Sequence, residues 1–328
     1  MSSFRSALAA VVSAPRRSAL MPLATSLALM ACSDNEPLAR STAPSSPSMA
    51  IVSGTQSKPT KIAFVIKYLS ESFAIWSVNS DGTELLQLTS GNEPDEAPAW
   101  SPDRKKLVFT RGTGAGRDIM MINANGTHLT NMGVHGFNPK WSPDGKKILY
   151  HAWDPSDGSH NIFTMNVDGS NIARLTDDPG TETDPMYSAD GQKISFMSDR
   201  SGNYELYVMN ANGTSQTKIT DCAAEGTFCW QPDWSPVPGD QRILYRIAYP
   251  VNKTRVINAD GTGMTEVLGA LSPFAAYPSW SPDATKVAFI AGLLGDNSQN
   301  VWTANLDGTG ADRATFSPKD KRDAAWAR

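Results

Sequence analysis

Short runs along the chain alternate apolar and polar positions with a period of two, and six of them share one feature. An aliphatic residue is followed two places on by an aromatic one: Ile62/Phe64, Leu107/Phe109, Ile148/Tyr150, Ile194/Phe196, Ile243/Tyr245 and Val287/Phe289. Period two with β-branched and aromatic residues predicts strands that pack one face. A second set of runs carries a bulky residue at a matching place, Trp76, Met120, Phe163, Tyr207 and Trp302, with Arg255 as the exception. The punctuation between runs is as regular. Trp-Ser-Pro-Asp or a close variant stands at 100–103, 141–145, 187–191, 234–236 and 280–283, with a truncated copy at Ala325-Trp326; successive aromatic positions lie 41, 46, 47, 46 and 46 residues apart. Asn-x-Asp/Asn-Gly occurs six times, at 79–82, 123–126, 166–169, 210–213, 258–261 and 305–308. Asp-Gly and Asn-Gly between alternating runs predict hairpins with type I′ turns, in which both central residues take positive φ. Ser-Pro-Asp-Gly is turn chemistry too, with Pro fixing φ and Gly accepting the left-handed region.

Each unit therefore supplies four short strands in roughly 45 residues, the period of a propeller blade. The fold class is all-β, a six-bladed β-propeller of four-stranded blades over residues 61–328. Lys61-Ile62-Ala63-Phe64 matches a second strand with no first strand before it, and Asp323-Ala324-Ala325-Trp326 matches a first strand. N-terminal strands pairing with a C-terminal strand would complete the last blade and close the ring.

The N-terminal stretch has a different character. Residues 1–31 hold Arg5, Arg16 and Arg17 and no acid, then run apolar from Ser18 to Ala31 with Pro22 inside. A basic region followed by an apolar run too short to span a bilayer reads as a secretory signal peptide. Leu29-Met30-Ala31-Cys32 resembles the lipobox of bacterial lipoproteins, and the resemblance implies lipidation of Cys32 and, with Ser33 in place of Asp after it, an outer-membrane address. Residues 32–60 are rich in Ser, Pro, Ala and Thr and are expected to be a flexible tether. The net charge of −4 and pI near 5.6 argue against electrostatic binding of nucleic acid or an anionic membrane. Membrane contact is thus expected through the lipid alone.

The repeats resemble those of the TolB propeller family in their Trp-Ser-Pro-Asp-Gly, Met-Asn-x-Asp-Gly and Leu-Thr elements, here Met165 to Gly169 with Leu175-Thr176, and Met209 to Gly213 with Ile219-Thr220. The resemblance covers residues 61–328 and implies a scaffold or recognition module of the bacterial cell envelope. TolB proteins also carry an N-terminal α/β domain that is not expected within residues 1–60 of this sequence, and Met30 departs from the usual small lipobox residue.

Candidate chemistry is sparse. No Gly-x-Ser-x-Gly elbow occurs, which sets a serine peptidase aside. The glycine-rich stretch 112–116 joins two blade strands and opens no helix. Of four histidines, His151 and His160 flank one predicted loop of blade three with Asp154 and Asp157 between them, and His135 lies in the preceding inter-blade loop; their convergence on a divalent metal is the basis of an alternative reading as a metal-dependent saccharide lyase or hydrolase. Cys222 and Cys229 fall in one predicted loop, where a disulfide is expected; a zinc site would need two more ligands, and no Cys or His pair lies nearby. Strand order places the second-to-third-strand loops and the inter-blade loops on one face. That face should carry Glu96, His135, Phe137, His151, Trp153, Asp154, Asp184, Trp230, Tyr249, Tyr277 and Arg322. Arg111 and Arg200 also fall there but read as structural, while Asp103, Asp144, Asp168 and Asp307 read as turn formers. A mixed aromatic and acidic rim suits a protein or peptide, or a glycan. The expectation is a monomeric binding module with no catalytic residue, metal or cofactor.

Overall fold

The computed structural model describes residues 60–68, 71–114, 116–248, 252–292, 299–315 and 321–327. They form six antiparallel four-stranded sheets, the blades of a propeller. Blade 1 joins Lys321–Trp326 to Lys61–Tyr68, Glu71–Asn79 and Leu86–Gln87; blade 2 is Asp95–Trp100, Lys106–Arg111, Asp118–Asn123 and Thr130–His135. Blade 3 is Phe137–Trp141, Lys147–Asp154, Ser159–Asn166 and Ala173–Arg174; blade 4 is Glu182–Tyr187, Lys193–Ser198, Glu205–Asn210 and Thr217–Lys218. Blade 5 is Phe228–Trp234, Arg242–Ala248, Lys253–Asn258 and Thr265–Val267; blade 6 is Ala276–Trp280, Lys286–Ala291, Asn300–Asn305 and Asp312–Arg313. The closure expected from the two chain ends is present, with Ile62 opposite Trp326 and Ala63 opposite Ala325.

The repeated aromatics explain how blades stack. Trp100 packs among Ala63, Val65 and Ile75 of blade 1, Tyr187 among Leu149 and Ile162 of blade 3, and Trp234 among Met197, Leu206 and Val208 of blade 4. Trp280 meets Leu244 of blade 5, and Trp326 meets Ala288, Ile290 and Val301 of blade 6. Each first-strand aromatic thus enters the face of the preceding blade, where burying one large side chain stabilises by about 2–3 kcal/mol.

The hairpins differ from the type I′ expectation. Gly82, Gly126, Gly169, Gly213, Gly261 and Gly308 take positive φ, but the Asp or Asn before each does not. Gly82 N–H donates to Asn79 O, and Asn79 N–H to Thr83 O, at 2.9 Å each. This is a three-residue turn ending in a left-handed glycine. The preceding carboxylate is spent locally: Asp81 Oδ1 accepts from Thr83 N–H at 3.0 Å and Thr83 Oγ1 at 2.6 Å. The glycine is also required by the neighbouring blade. A Cβ on Gly213 would stand 2.4 Å from Leu175 O, and one on Gly308 2.5 Å from Leu268 O. Asp103 and Asp144 fix the other turn, accepting from Ser101 Oγ at 2.7 Å and Ser142 Oγ at 2.6 Å.

One irregularity positions the functional surface. In every blade the first strand carries a bulge, two residues facing one. Residues 97–98, 138–139, 184–185, 231–232, 277–278 and 323–324 oppose Phe109, Tyr150, Phe196, Tyr245, Phe289 and Phe64, the aromatics of the period-two runs. The first residue of each pair has a φ of 48–55° without being glycine, strain of about 1–2 kcal/mol apiece. The second is Pro except at Ala324. Proline has no N–H to waste, so it suits a bulge on a strand edge.

Candidate functional site

The six first strands turn their free edges inward around a channel of about 550 Å³. The bulge aims one residue per blade, three before the repeated aromatic, into it: Ala97, Asn138, Asp184, Gln231, Tyr277 and Asp323. Several of these close the ring from blade to blade. Asp323 Oδ2 accepts from Ala97 N–H at 3.0 Å, Gln231 Oε1 from Tyr277 N–H at 3.2 Å, and Asp184 from Asn138 Nδ2 and the Gln231 N–H. Asp233 Oδ2 likewise accepts from Trp280 N–H at 2.8 Å. Edge donors that a free strand would leave to water are thereby met by the neighbouring blade. Burial raises the Asp184 carboxyl above the usual range, against the opposing pull of Lys140, Asn138 and the Gln231 N–H.

At one end the channel opens into a polar mouth of about 250 Å³ lined by Glu96, Arg117, Phe137, Asn138, His151, Tyr277 and Asp323. Arg117 donates to Glu96 Oε2 at 2.5 Å and lies over Phe137, 5.4 Å from the ring centre. Phe137 stacks on His151 at 5.2 Å and 9°. His160 meets Phe137, His151 and Trp153 edge-on at 5.3, 5.5 and 5.7 Å. Trp153 ends this aromatic shelf half in solvent, 50% exposed. Burial, then the adjacent His160, holds the His151 imidazole down to a pKa of about 3, so it is neutral; burial also lowers His160. The Nδ1 atoms of both are buried without a hydrogen-bond partner.

Of the residues read from sequence, the mouth brings together Glu96, Phe137, His151 and Tyr277, with Trp153 on the adjoining shelf. Asp184 lies inside the channel and serves blade closure. Asp154 is tied by Arg174 Nη1 at 2.9 Å to the outer strand of its own blade. His135 is exposed at the end of a fourth strand, 2.8 Å from Asp118. Trp230 is in the first strand of blade 5, not in a loop, and packs half-buried on Tyr204 at 5.0 Å. Tyr249, the Arg322 side chain, Cys32 and the rest of residues 1–59 lie outside the described residues. Sequence reading missed Arg117, Asn138, Gln231 and Asp323. The signal was available in the last three, which share the place three before the repeated aromatic with Asp184 and Tyr277.

Arg111 and Arg200 act within blades. Arg111 makes a bidentate pair with Asp95 at 2.6 and 2.8 Å. Arg200 gives Nη1 to Asp178 at 2.5 Å and to Gln216 at 2.6 Å, and Nε to Ser198. Little is left for Glu182, which is fully buried, 3.2 Å from Arg200 Nη2, and has Oε2 unpartnered. Burial outweighs the help of Ser198 and Arg200 and pushes its carboxyl up to about 7. A raised folded-state pKa means stability present below pH 4.5 is lost as pH climbs through 7. Glu182→Gln should therefore lie within about 1 kcal/mol of the native chain at pH 5 and exceed it at pH 8 by about 3 kcal/mol. Urea midpoints at the two pH values check this; a deficit at pH 8 would mean the charge is stabilising.

The metal-enzyme alternative required three histidines to converge. Among the described residues, no group of three or more potential metal-ligating side chains contains His135, His151 or His160; the one such group is Glu205, Cys222 and Cys229. Those cysteines are joined in a disulfide with Cα atoms 6.0 Å apart, and Cys229 belongs to a strand. Arg255, the exception among the bulky third-strand residues, reaches the intervening loop and pairs with Glu225 at 2.9 and 2.8 Å.

Comparison with known proteins agrees with this architecture. The Tol-Pal system protein TolB of Bordetella pertussis is 31% identical over 157 residues, 47% of this chain and 35% of that protein. The chain thus spans about a third of the length of the curated relatives it matches. Among solved structures, TolB from Acinetobacter baumannii superposes with a TM-score of 0.70 at 21% identity, covering 82% of this chain and 66% of that one. An oligogalacturonate lyase in complex with manganese gives 0.53 at 14% identity over 77% and 73% of the two chains. Both likenesses are of fold. With the family model of the TolB beta propeller domain matching residues 52–328, the chain belongs to the TolB β-propeller domain family.

Proposed function

We propose that the chain is a non-enzymatic binding propeller of the bacterial cell envelope that takes a protein or peptide at the channel mouth. Cys32 would supply a lipid anchor, and residues 33–60 the reach. One observation carries the reading: groups from four blades, Glu96 and Arg117, Phe137 and His151, Tyr277, and Asp323, meet at the mouth of a channel lined by the six first strands. A charged pair beside stacked rings and a half-exposed Trp is the composition of a recognition rim, where a few aromatic anchors carry most of the energy. The name of the Bordetella relative, a Tol-Pal system protein, supports an envelope protein as partner.

The test is capture from solubilised envelope with the immobilised full chain, against a bait carrying Trp153→Ala and Tyr277→Ala. A protein retained by the native bait and reduced at least about tenfold on the variant, the loss expected for two anchors of ~1 kcal/mol or more each, supports the reading. Equal retention on both baits, or none on either, overturns it. The saccharide-lyase reading would instead require divalent-metal-dependent cleavage of an acidic oligosaccharide, abolished by His151→Ala.

A further inference from the structure

The turn between blades 4 and 5 gathers chemistry that neither the rim nor the ring uses. Glu205, the first residue of a blade 4 strand, is fully buried. Its Oε2 accepts from Thr220 Oγ1 at 2.6 Å and Cys222 N–H at 2.8 Å, and its Oε1 from Ala223 N–H at 2.8 Å. These donors are all neutral. Cys229 Sγ lies 4.0 Å from Oε2 and 3.5 Å from Thr220 Oγ1. A carboxylate oxygen and both sulfurs fall within 4.8 Å of one another, all buried.

We propose that, once the disulfide is reduced, Cys222, Cys229 and Glu205 form a buried site for one thiophilic divalent cation of the zinc class. A tetrahedral zinc with bonds of roughly 2.3 Å to sulfur and 2.0–2.2 Å to oxygen spaces its ligand atoms about 3.5–3.8 Å apart. The carboxylate stands near that distance from Cys229 and within 4.8 Å of the Cys222 sulfur, and the two bonded sulfurs must separate. The Cα spacing of 6.0 Å permits this by side-chain rotation. Two thiolates and one carboxylate favour a soft ion of low coordination number over calcium or magnesium.

Contacts other than the disulfide also hold the loop. Arg255 holds Glu225 through two hydrogen bonds, and Glu205 holds the Cys222 and Ala223 backbone. The ligands are therefore preorganised by contacts that reduction leaves intact. Chemically, a dithiol cleaves the S–S bond and closes to its own disulfide, leaving two thiols. The cation then displaces both thiol protons to solvent as two metal–sulfur bonds form. Disulfide and metal are alternative occupants of one place.

The experiment uses the full chain with Cys32→Ser, so that only these two thiols report. The chain is reduced with excess phosphine, freed of reductant without air, and titrated with Zn²⁺ by calorimetry and with Cd²⁺ by the thiolate-to-metal ultraviolet band. One equivalent of metal should bind the reduced chain at least about 100-fold more tightly than the oxidised chain. Cys229→Ser should lose the ultraviolet band, and Glu205→Gln should keep it while weakening zinc about tenfold or more. Because either variant could disturb folding, alkylation of the native reduced chain is a second readout: zinc should slow modification of both cysteines. Equal zinc affinity in the two redox states, or alkylation unchanged by zinc, overturns the proposal.

Discussion

A chain lacking residues 321–328 is expected to show no cooperative unfolding transition and to elute as aggregate. That segment supplies the first strand of blade 1, and its removal acts at three levels. It takes away Trp326, 5% exposed among residues of blades 1 and 6, a loss of about 3–5 kcal/mol by the scale of large-to-small core changes. It uncovers the second strand of blade 1, where Ile62, Ala63, Phe64 and Val65 are each fully buried, leaving an unpaired apolar edge that invites strand addition from other molecules. It also removes Asp323 from the Ala97 N–H and the Ala327 N–H from Lys61 O, a bond of 2.7 Å. Together these reach the 5–15 kcal/mol that holds a whole domain folded. Trp326→Ala in the intact chain separates the effects: it should fold cooperatively but about 3–5 kcal/mol less stably in urea. A deletion variant that keeps a sharp transition within about 2 kcal/mol of the native chain would mean that blade 1 does not depend on its first strand.

The blades were legible in the sequence because their determinants are local and repeated. A Ser-Pro turn, an alternating run and an Asn-x-Asp-Gly turn each act within a few residues, and six copies make the spacing unmistakable. The same repetition concealed which residues line the channel. Asn138, Gln231 and Asp323 share no chemistry with Ala97 or Tyr277, so only their common place before the aromatic links them, and the bulge that aims them inward depends on strand pairing. The turn type was misread for a related reason: Asp-Gly is compatible with two hairpin geometries, and the choice is made by the bond from Asn79 N–H to Thr83 O. Arg117 escaped notice because it is a single cation at the start of a third strand; its meaning comes from Glu96, 21 residues away, and from the Phe137 ring. Glu205 meets the cysteines only in the fold, since Cys222 lies 17 residues on.

His151 should make the fold sensitive to acid, and His151→Phe should remove that sensitivity. The imidazole is 6% exposed, lies flat on Phe137, and has its Nδ1 buried without a partner. Burial first, and His160 second, lower its pKa from 6.5 to about 3. The sign follows from linkage: a depressed folded-state pKa gives stability that is complete above pH 6.5 and is lost as pH falls toward 3, because the unfolded chain takes up a proton that the folded chain refuses. The loss attributable to this one group is about 2 kcal/mol at pH 5 and about 3 kcal/mol at pH 4. Glu182 works in the opposite direction over pH 7 to 4.5, so the raw stability curve of the native chain mixes the two, and the difference between native and His151→Phe isolates the histidine. Phenylalanine retains the stacked ring and leaves no unpaired nitrogen, so the variant should lie within about 1 kcal/mol of the native chain at pH 7.5 and pull ahead steadily below pH 6. Parallel pH profiles for the two chains, or an imidazole that titrates near 6.5 by nuclear magnetic resonance, would place His151 in water and dismantle the closed aromatic shelf. A profile that diverges only below pH 6 would fix the shelf as a dry, neutral wall, one that meets a partner through ring faces and the Arg117–Glu96 pair, with no imidazolium charge.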